Sequence, residues 1–237
     1  MTKNKLFFSA AIIATLVNHV YAGNVNQASV GYVQEQVAVL NSKIANIPVT
    51  PTYTVGQQAL GGIVFYVNSN GTHGLVANTV FVGIDNTWDG GLSNTTADFQ
   101  VNSIANGIGA GAMNTSVIVG AQSAYAALQS TTLSNMAAQY CLGLSVKEDG
   151  VTLCGTTGSA EETCYADYYL PSAYELNQMY LQNSILKIWQ SSSDPAFLWS
   201  STEVDANNAY RINFSVSGSP LSAGKDSQCS AWCIRQF

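Results

Sequence analysis

In VGYVQEQVAVLNSKIANIPV the apolar residues Val30, Val33, Val37, Leu40, Ile44 and Ile47 recur at intervals of 3, 4, 3, 4 and 3. That is an a/d heptad pattern, with Val30, Val37 and Ile44 at a and Val33, Leu40 and Ile47 at d. Beta-branched residues at both positions lean toward three strands rather than two. Pro48 and Pro51 cannot continue a helix. The spacing predicts a coiled-coil stalk over 23–48, a linker over 49–54 and a homotrimer. The competing reading is an amphipathic helix packed on its own domain, with Val39 lying beside the stripe.

Upstream, Lys3 and Lys5 precede the apolar run LFFSAAIIATLV, and VYA at 20–22 follows. This predicts a signal peptide over 1–22, cleaved after Ala22. A run of 12 residues is short of the roughly 20 needed to span a bilayer, so no transmembrane segment is expected.

Downstream, 55–237 reads as one globular domain. Ile63–Val67 and Gly74–Ala77 flank a turn and predict a hairpin. The Gly- and Asn-rich stretch from Phe81 to Val119 reads as loop, and 123–144 reads as helix. In YRINFSV, Tyr210, Ile212, Phe214 and Val216 alternate with polar residues, which predicts a strand, and SGSP a turn after it. The expected class is α+β, with two helices and short antiparallel strands behind the N-terminal coiled-coil helix.

In LPSAYELNQMYLQ, Ser172 stands three residues before Glu175, the spacing of a capping box. Leu176, Met179 and Tyr180 then share a helical face. A cap already occupies the Glu175 carboxylate, so Glu175 and Ser172 read as structural rather than catalytic.

Composition narrows the function. Only 9% of residues are charged while 47% are hydrophobic, which excludes a disordered chain. Without residues 1–22 the eight basic residues fall to six against fourteen acidic, a net charge of −8. Nucleic acid is therefore a poor partner. His73 is then the only histidine, and no G-x-S-x-G elbow is present, which leaves little for a hydrolase triad. Zinc is disfavoured because no C-x-x-C pair occurs. Asp85 and Asp89 in DNTWDGG read as turn formers, so no metal and no cofactor are expected. Of the five cysteines, Cys154 and Cys164 bracket a Gly- and Thr-rich loop and predict a bridge closing it; an odd count leaves one thiol over.

LPSAYELNQMYLQ, FLWSSTE, NNAYRINFS and AWCIRQF occur in that order, and IGAGAMNTSVIV precedes the Ala-rich helix. This set resembles the domain family at the C-terminus of the Legionella collagen-like adhesin, over about Val55 to Phe237. The family is similar in pattern to the C-type-lectin-like and formylglycine-generating-enzyme folds. The resemblance implies a trimeric head of secreted or bacterial cell-surface adhesins that binds sulfated polysaccharides. Here the heptad stalk stands where that adhesin has its collagen-like region. By the same analogy Cys141 pairs with Cys233, leaving Cys229. Arg235 lies on the strand face of Cys233, and with Cys233 tied into the core it is expected as an ion-pair partner rather than a ligand contact.

The partner expected is a glycan or host-surface polysaccharide. Arg211 and Lys225 are the candidate contacts for a sulfated one, and Trp88 for an uncharged sugar stacked on an exposed aromatic. Two other classes compete: a trimerisation module without ligand, and an oxidase-like enzyme using Cys229 and Cys233.

Overall fold

The computed structural model describes residues 27–46, 50–79, 85–92, 100–155, 163–188 and 196–237. The expected signal peptide lies outside the described residues. The chain divides into two compact units, Met1–Thr50 and Pro51–Phe237.

In the first unit the heptad positions from Val30 to Ile44 lie on the helix α1, Gln27–Ala45, with Lys43 in its last turn where a cation favours the helix dipole, while Ile47 and the end of the expected stalk lie outside the described residues. Leu40 is 42% exposed, and Val33, Val37 and Ile44 are partly exposed.

The second unit is a mixed α+β head. Its strands are β1 (Gln58–Ala59), β2 (Gly62–Val67), β3 (Gly74–Ala77), β4 (Phe197–Glu203), β5 (Asn208–Asn213), β6 (Ser217–Gly224) and β7 (Ile234–Gln236). They form two antiparallel sheets, ordered β1-β2-β3-β7 and β4-β5-β6. Among the described residues the head has four helices: α2 (Ala110–Leu128), α3 (Ala137–Leu142), α4 (Ala173–Leu181) and the single turn α5 (Asn183–Leu186).

Two helical expectations are corrected. α2 begins inside the stretch read as loop, and 129–136 separate it from α3. Two glycines there serve the helix itself, one by its backbone angle and one by close packing. Gly109 starts the helix at φ 83°, and a Cβ on Gly111 would lie 2.7 Å from the Leu170 carbonyl. The strand end is corrected as well. β5 stops at Asn213, whose Oδ1 accepts from the Ser215 amide at 2.9 Å, and SGSP opens β6 instead of turning the chain. Ile212 and Phe214 are buried, while Val216 is exposed in the turn between β5 and β6.

One core cluster gathers Trp88, Ile118, Tyr168, Leu170 and Trp199, and a second gathers Phe65, Leu75, Leu176, Met179, Ile212 and Ile234. The Cys141–Cys233 disulfide ties α3 to the residue before β7, and Cys154–Cys164 closes the Gly- and Thr-rich loop. Cys229 is free and buried.

Candidate functional site

The structure brings Trp88 and Lys225 together, but inside the head. The Trp88 amide donates to the Lys225 carbonyl at 2.8 Å, and the Lys225 ammonium lies 4.8 Å from the indole centroid. Lys225 Nζ donates to Glu203 Oε1 and to the Ala206 carbonyl, both at 2.6 Å. Glu203 also accepts from the amides of Val101 at 2.9 Å and Asn102 at 2.7 Å. The expected exposure of both residues is thus corrected. Trp88 is 0% exposed, with its indole N–H donating to the Ser200 carbonyl, and offers no ring face to a sugar. Lys225 is drawn inward because Glu203 closes β4 where the chain leaves β6, and a buried carboxylate needs a cation.

Arg211 stands opposite Trp199 across β4 and β5. Its guanidinium stacks 4.1 Å over the Phe197 ring, and Nη1 donates to Cys229 Sγ at 3.3 Å. It is half-buried, and its Nε has no partner. Burial pushes the Cys229 thiol pKa up, against the hydrogen bond and charge of Arg211, which pull it down. A buried thiol of raised pKa is a poor nucleophile. Cys233 lies in a disulfide, so the second sulfur of the oxidase reading is not a thiol.

Arg235 makes a bidentate pair with Asp167, Nε to Oδ1 at 2.5 Å and Nη2 to Oδ2 at 3.0 Å, and Nη1 donates to the Leu60 carbonyl. Its guanidinium lies over the Tyr165 ring. The Tyr165 hydroxyl donates to Glu148, and its pKa is pushed up to about 12, first by burial and then by that hydrogen bond. Glu148 in turn accepts from the Leu60 amide at 2.8 Å. The group clamps the β1–β2 turn.

Glu175 is the acceptor at the centre of a fourth cluster. It takes hydrogen bonds from Gly109 N at 2.7 Å, Gly111 N at 3.1 Å, Ser172 N at 2.8 Å and the Tyr169 hydroxyl at 3.0 Å. Ser172 Oγ accepts from the Glu175 amide and donates to the Gly107 carbonyl, completing the capping box and fastening the entry of α2 to that of α4. Burial, then the Glu175 charge, raise the Tyr169 pKa. A carboxylate with four donors and no exposed surface has no lone pair directed at a substrate.

In DNTWDGG, Asp89 is buried and accepts from the Gly91 amide at 2.9 Å, which closes a turn. Among the described residues no three His, Cys, Asp or Glu side chains are grouped to hold a metal ion.

No family model and no curated protein matches the chain. Among solved structures it is similar to a fimbrial protein from Bacteroides ovatus ATCC 8483, at 18% identity and a TM-score of 0.35. The match covers 73% of this chain and 43% of that one, so the chain spans under half of that protein.

Sequence reasoning missed Glu203, Asp167, Glu148 and Tyr169. Each acquires its role from a partner distant in sequence or from burial; Glu203 ends the FLWSSTE stretch, where no local interval marks its partners. The one local signal was the Ser172–Glu175 interval, which marked the cap but not the two glycine amides, more than sixty residues away, that share the carboxylate.

Proposed function

We propose that the chain is an exported, non-enzymatic, adhesin-like surface or secreted protein whose α1 gathers three copies and whose head binds a glycan. The observation that carries the reading is the heptad stripe of α1, helical over Gln27–Ala45 with Leu40 left 42% exposed. An apolar seam of this spacing is stable in water when copies of it pair. Two disulfides fit an oxidising compartment. The carboxylates and cations best able to do chemistry are held in partnerships within the head, which supports recognition over catalysis.

The same pairings bear on the ligand. Lys225 and Arg235 neutralise Glu203 and Asp167, and Arg211 is half-buried against Phe197. An uncharged glycan is therefore favoured over a sulfated one, with exposed Tyr140 and Tyr174 and the Asn- and Ser-rich surface supplying stacking and hydrogen bonds.

The test is the solution mass of the chain from Gly23 onward, joined to a glycan array read at low and high salt. A trimer is expected, with binding that persists from about 0.1 M to about 1 M salt, where the screening length falls from about 10 Å to about 3 Å. Binding that fades over that range and is lost in Arg211→Ala restores the sulfated ligand. A trimer with no saturable signal on any glycan leaves the assembly module, and a monomer removes the stalk.

A further inference from the structure

We propose that the Cys154–Cys164 bridge is a thiol-exchange site, at which a small thiol of neutral or positive charge joins Cys164 and loosens the clamp on the β1–β2 turn while the head stays folded.

The two bridges differ in access. Cys141 and Cys233 are both 0% exposed, so their sulfurs are shielded in the folded head. Cys164 is exposed and Cys154 half-buried. Exchange requires an attacking thiolate to reach one sulfur, and access decides which. The thiolate attacks Cys164 Sγ. The S–S bond breaks, its electron pair leaves on Cys154 Sγ, and that sulfur takes up the proton the incoming thiol gave to water. Cys164 is left in a mixed disulfide with the small thiol. A second thiol attacks the small thiol's sulfur in that bond and releases Cys164 as a thiol, so two thiols leave as one small disulfide. No other oxidant or reductant enters.

The bridge holds a local structure. The Cys154 amide donates to the Ser145 carbonyl at 3.0 Å. Next to Cys164, Tyr165 exchanges hydrogen bonds with Val146 at 2.8 and 3.0 Å. The Tyr165 hydroxyl donates to Glu148, which accepts from the Leu60 amide. Opening the bridge leaves these hydrogen bonds as the tie between the 145–154 arm and the 164–165 strand. The ladders of the two sheets and the Cys141–Cys233 bond lie elsewhere, so the opening is local.

Charge selects the thiol. Glu148, Asp149 and Asp167 are exposed on the two arms, and Glu161 and Glu162 precede Cys164 in the sequence. Against them stand Lys147 and Arg235, and Asp167 holds the latter. Such surroundings repel an anionic thiol and attract a cationic one.

The experiment uses the full mature chain under native conditions with excess cysteamine or glutathione. Free thiols are trapped with iodoacetamide and located by peptide mass. Each rate is divided by that thiol's rate on oxidised mercaptoethanol. Cys154 and Cys164 should be labelled at least about a hundredfold faster than Cys141 and Cys233, whose sulfurs wait for unfolding, with near-UV circular dichroism retained. Cysteamine should be the faster after that division, and its advantage should shrink from about 0.01 M to about 1 M salt, as the screening length falls from about 30 Å to about 3 Å. Hydrogen exchange should show Leu60, Val146 and Tyr165 losing protection while the β3 amides keep theirs, and Cys154→Ser/Cys164→Ser should reproduce that pattern without any thiol. Labelling of all four cysteines together, or of none before denaturant is added, overturns the exchange site. Equal normalised rates overturn the charge selection. Unchanged protection at Leu60, Val146 and Tyr165 in both the reduced protein and the double serine variant overturns the link to the clamp.

Discussion

Lys225 and Glu203 meet at 2.6 Å with side chains 3% and 0% exposed, so the pair sits in the interior of an acidic head. Removing one partner strands the other charge. Lys225→Met is expected to cost about 3–5 kcal/mol in urea unfolding, and adding Glu203→Gln to recover part of that loss. A cost under about 1 kcal/mol would mean that water reaches the carboxylate.

Glu175→Ala leaves three buried donors, the Gly111 and Ser172 amides and the Tyr169 hydroxyl, without their acceptor, together with the part-buried Gly109 amide. At about 1–3 kcal/mol for each buried unsatisfied donor, the loss should be at least about 3 kcal/mol. Hydrogen exchange locates it: these amides should lose protection together, while those of β2 and β3 lose it only with global unfolding. Glu175→Gln keeps one acceptor oxygen and should fall between.

The two disulfides should differ in worth. Cys141–Cys233 spans 92 residues and Cys154–Cys164 spans 10. Chain entropy gives about 4.6 and about 2.7 kcal/mol for such loops. Paired Cys→Ala variants should reproduce that order in melting temperature. One thiol per chain, Cys229, should react with a maleimide in denaturant without reductant, and none in the native protein.

Alkaline pH should destabilise the head. Tyr165, Tyr168, Tyr169 and Cys229 all have pKa values raised in the folded state, chiefly by burial. The folded protein therefore holds protons that the unfolded chain releases, and stability falls as pH rises above the ordinary thiol and phenol values of 9.0 and 10.0. Urea midpoints at pH 8, 10 and 11 check the slope, and absorbance at 295 nm reports the phenolates. A midpoint that stays level across this range would contradict the burial of these groups.

The sequence carried what depends on short intervals. The helix at Ala173 was legible from Ser172 and Glu175, the first hairpin from Gly74 and the apolar residues around it, and the 154–164 bridge from two cysteines around a loop. The pattern failed where partners are remote. Lys225 reads as a surface cation in SAGKDS until β4 brings Glu203 to it. Trp88 reads as a loop aromatic among Asp and Asn until Ser200 accepts its indole N–H. α2 was hidden for a different reason: Gly111 looks like a loop residue, and only contact with Glu175 and Leu170 shows it to be a packing residue.

β7 completes the first sheet by pairing Arg235 with Val76 and Ile234 with Ala77. Phe237 exchanges hydrogen bonds with Gly74, and its ring meets Tyr53 edge-on at 4.9 Å. The first hairpin therefore waits, during synthesis, for a strand translated some 160 residues later. Until that strand arrives, β3 presents an open row of amides and carbonyls to any other chain. The head should thus be at its most aggregation-prone as a nascent polypeptide, and trimming 234–237 would keep it in that state.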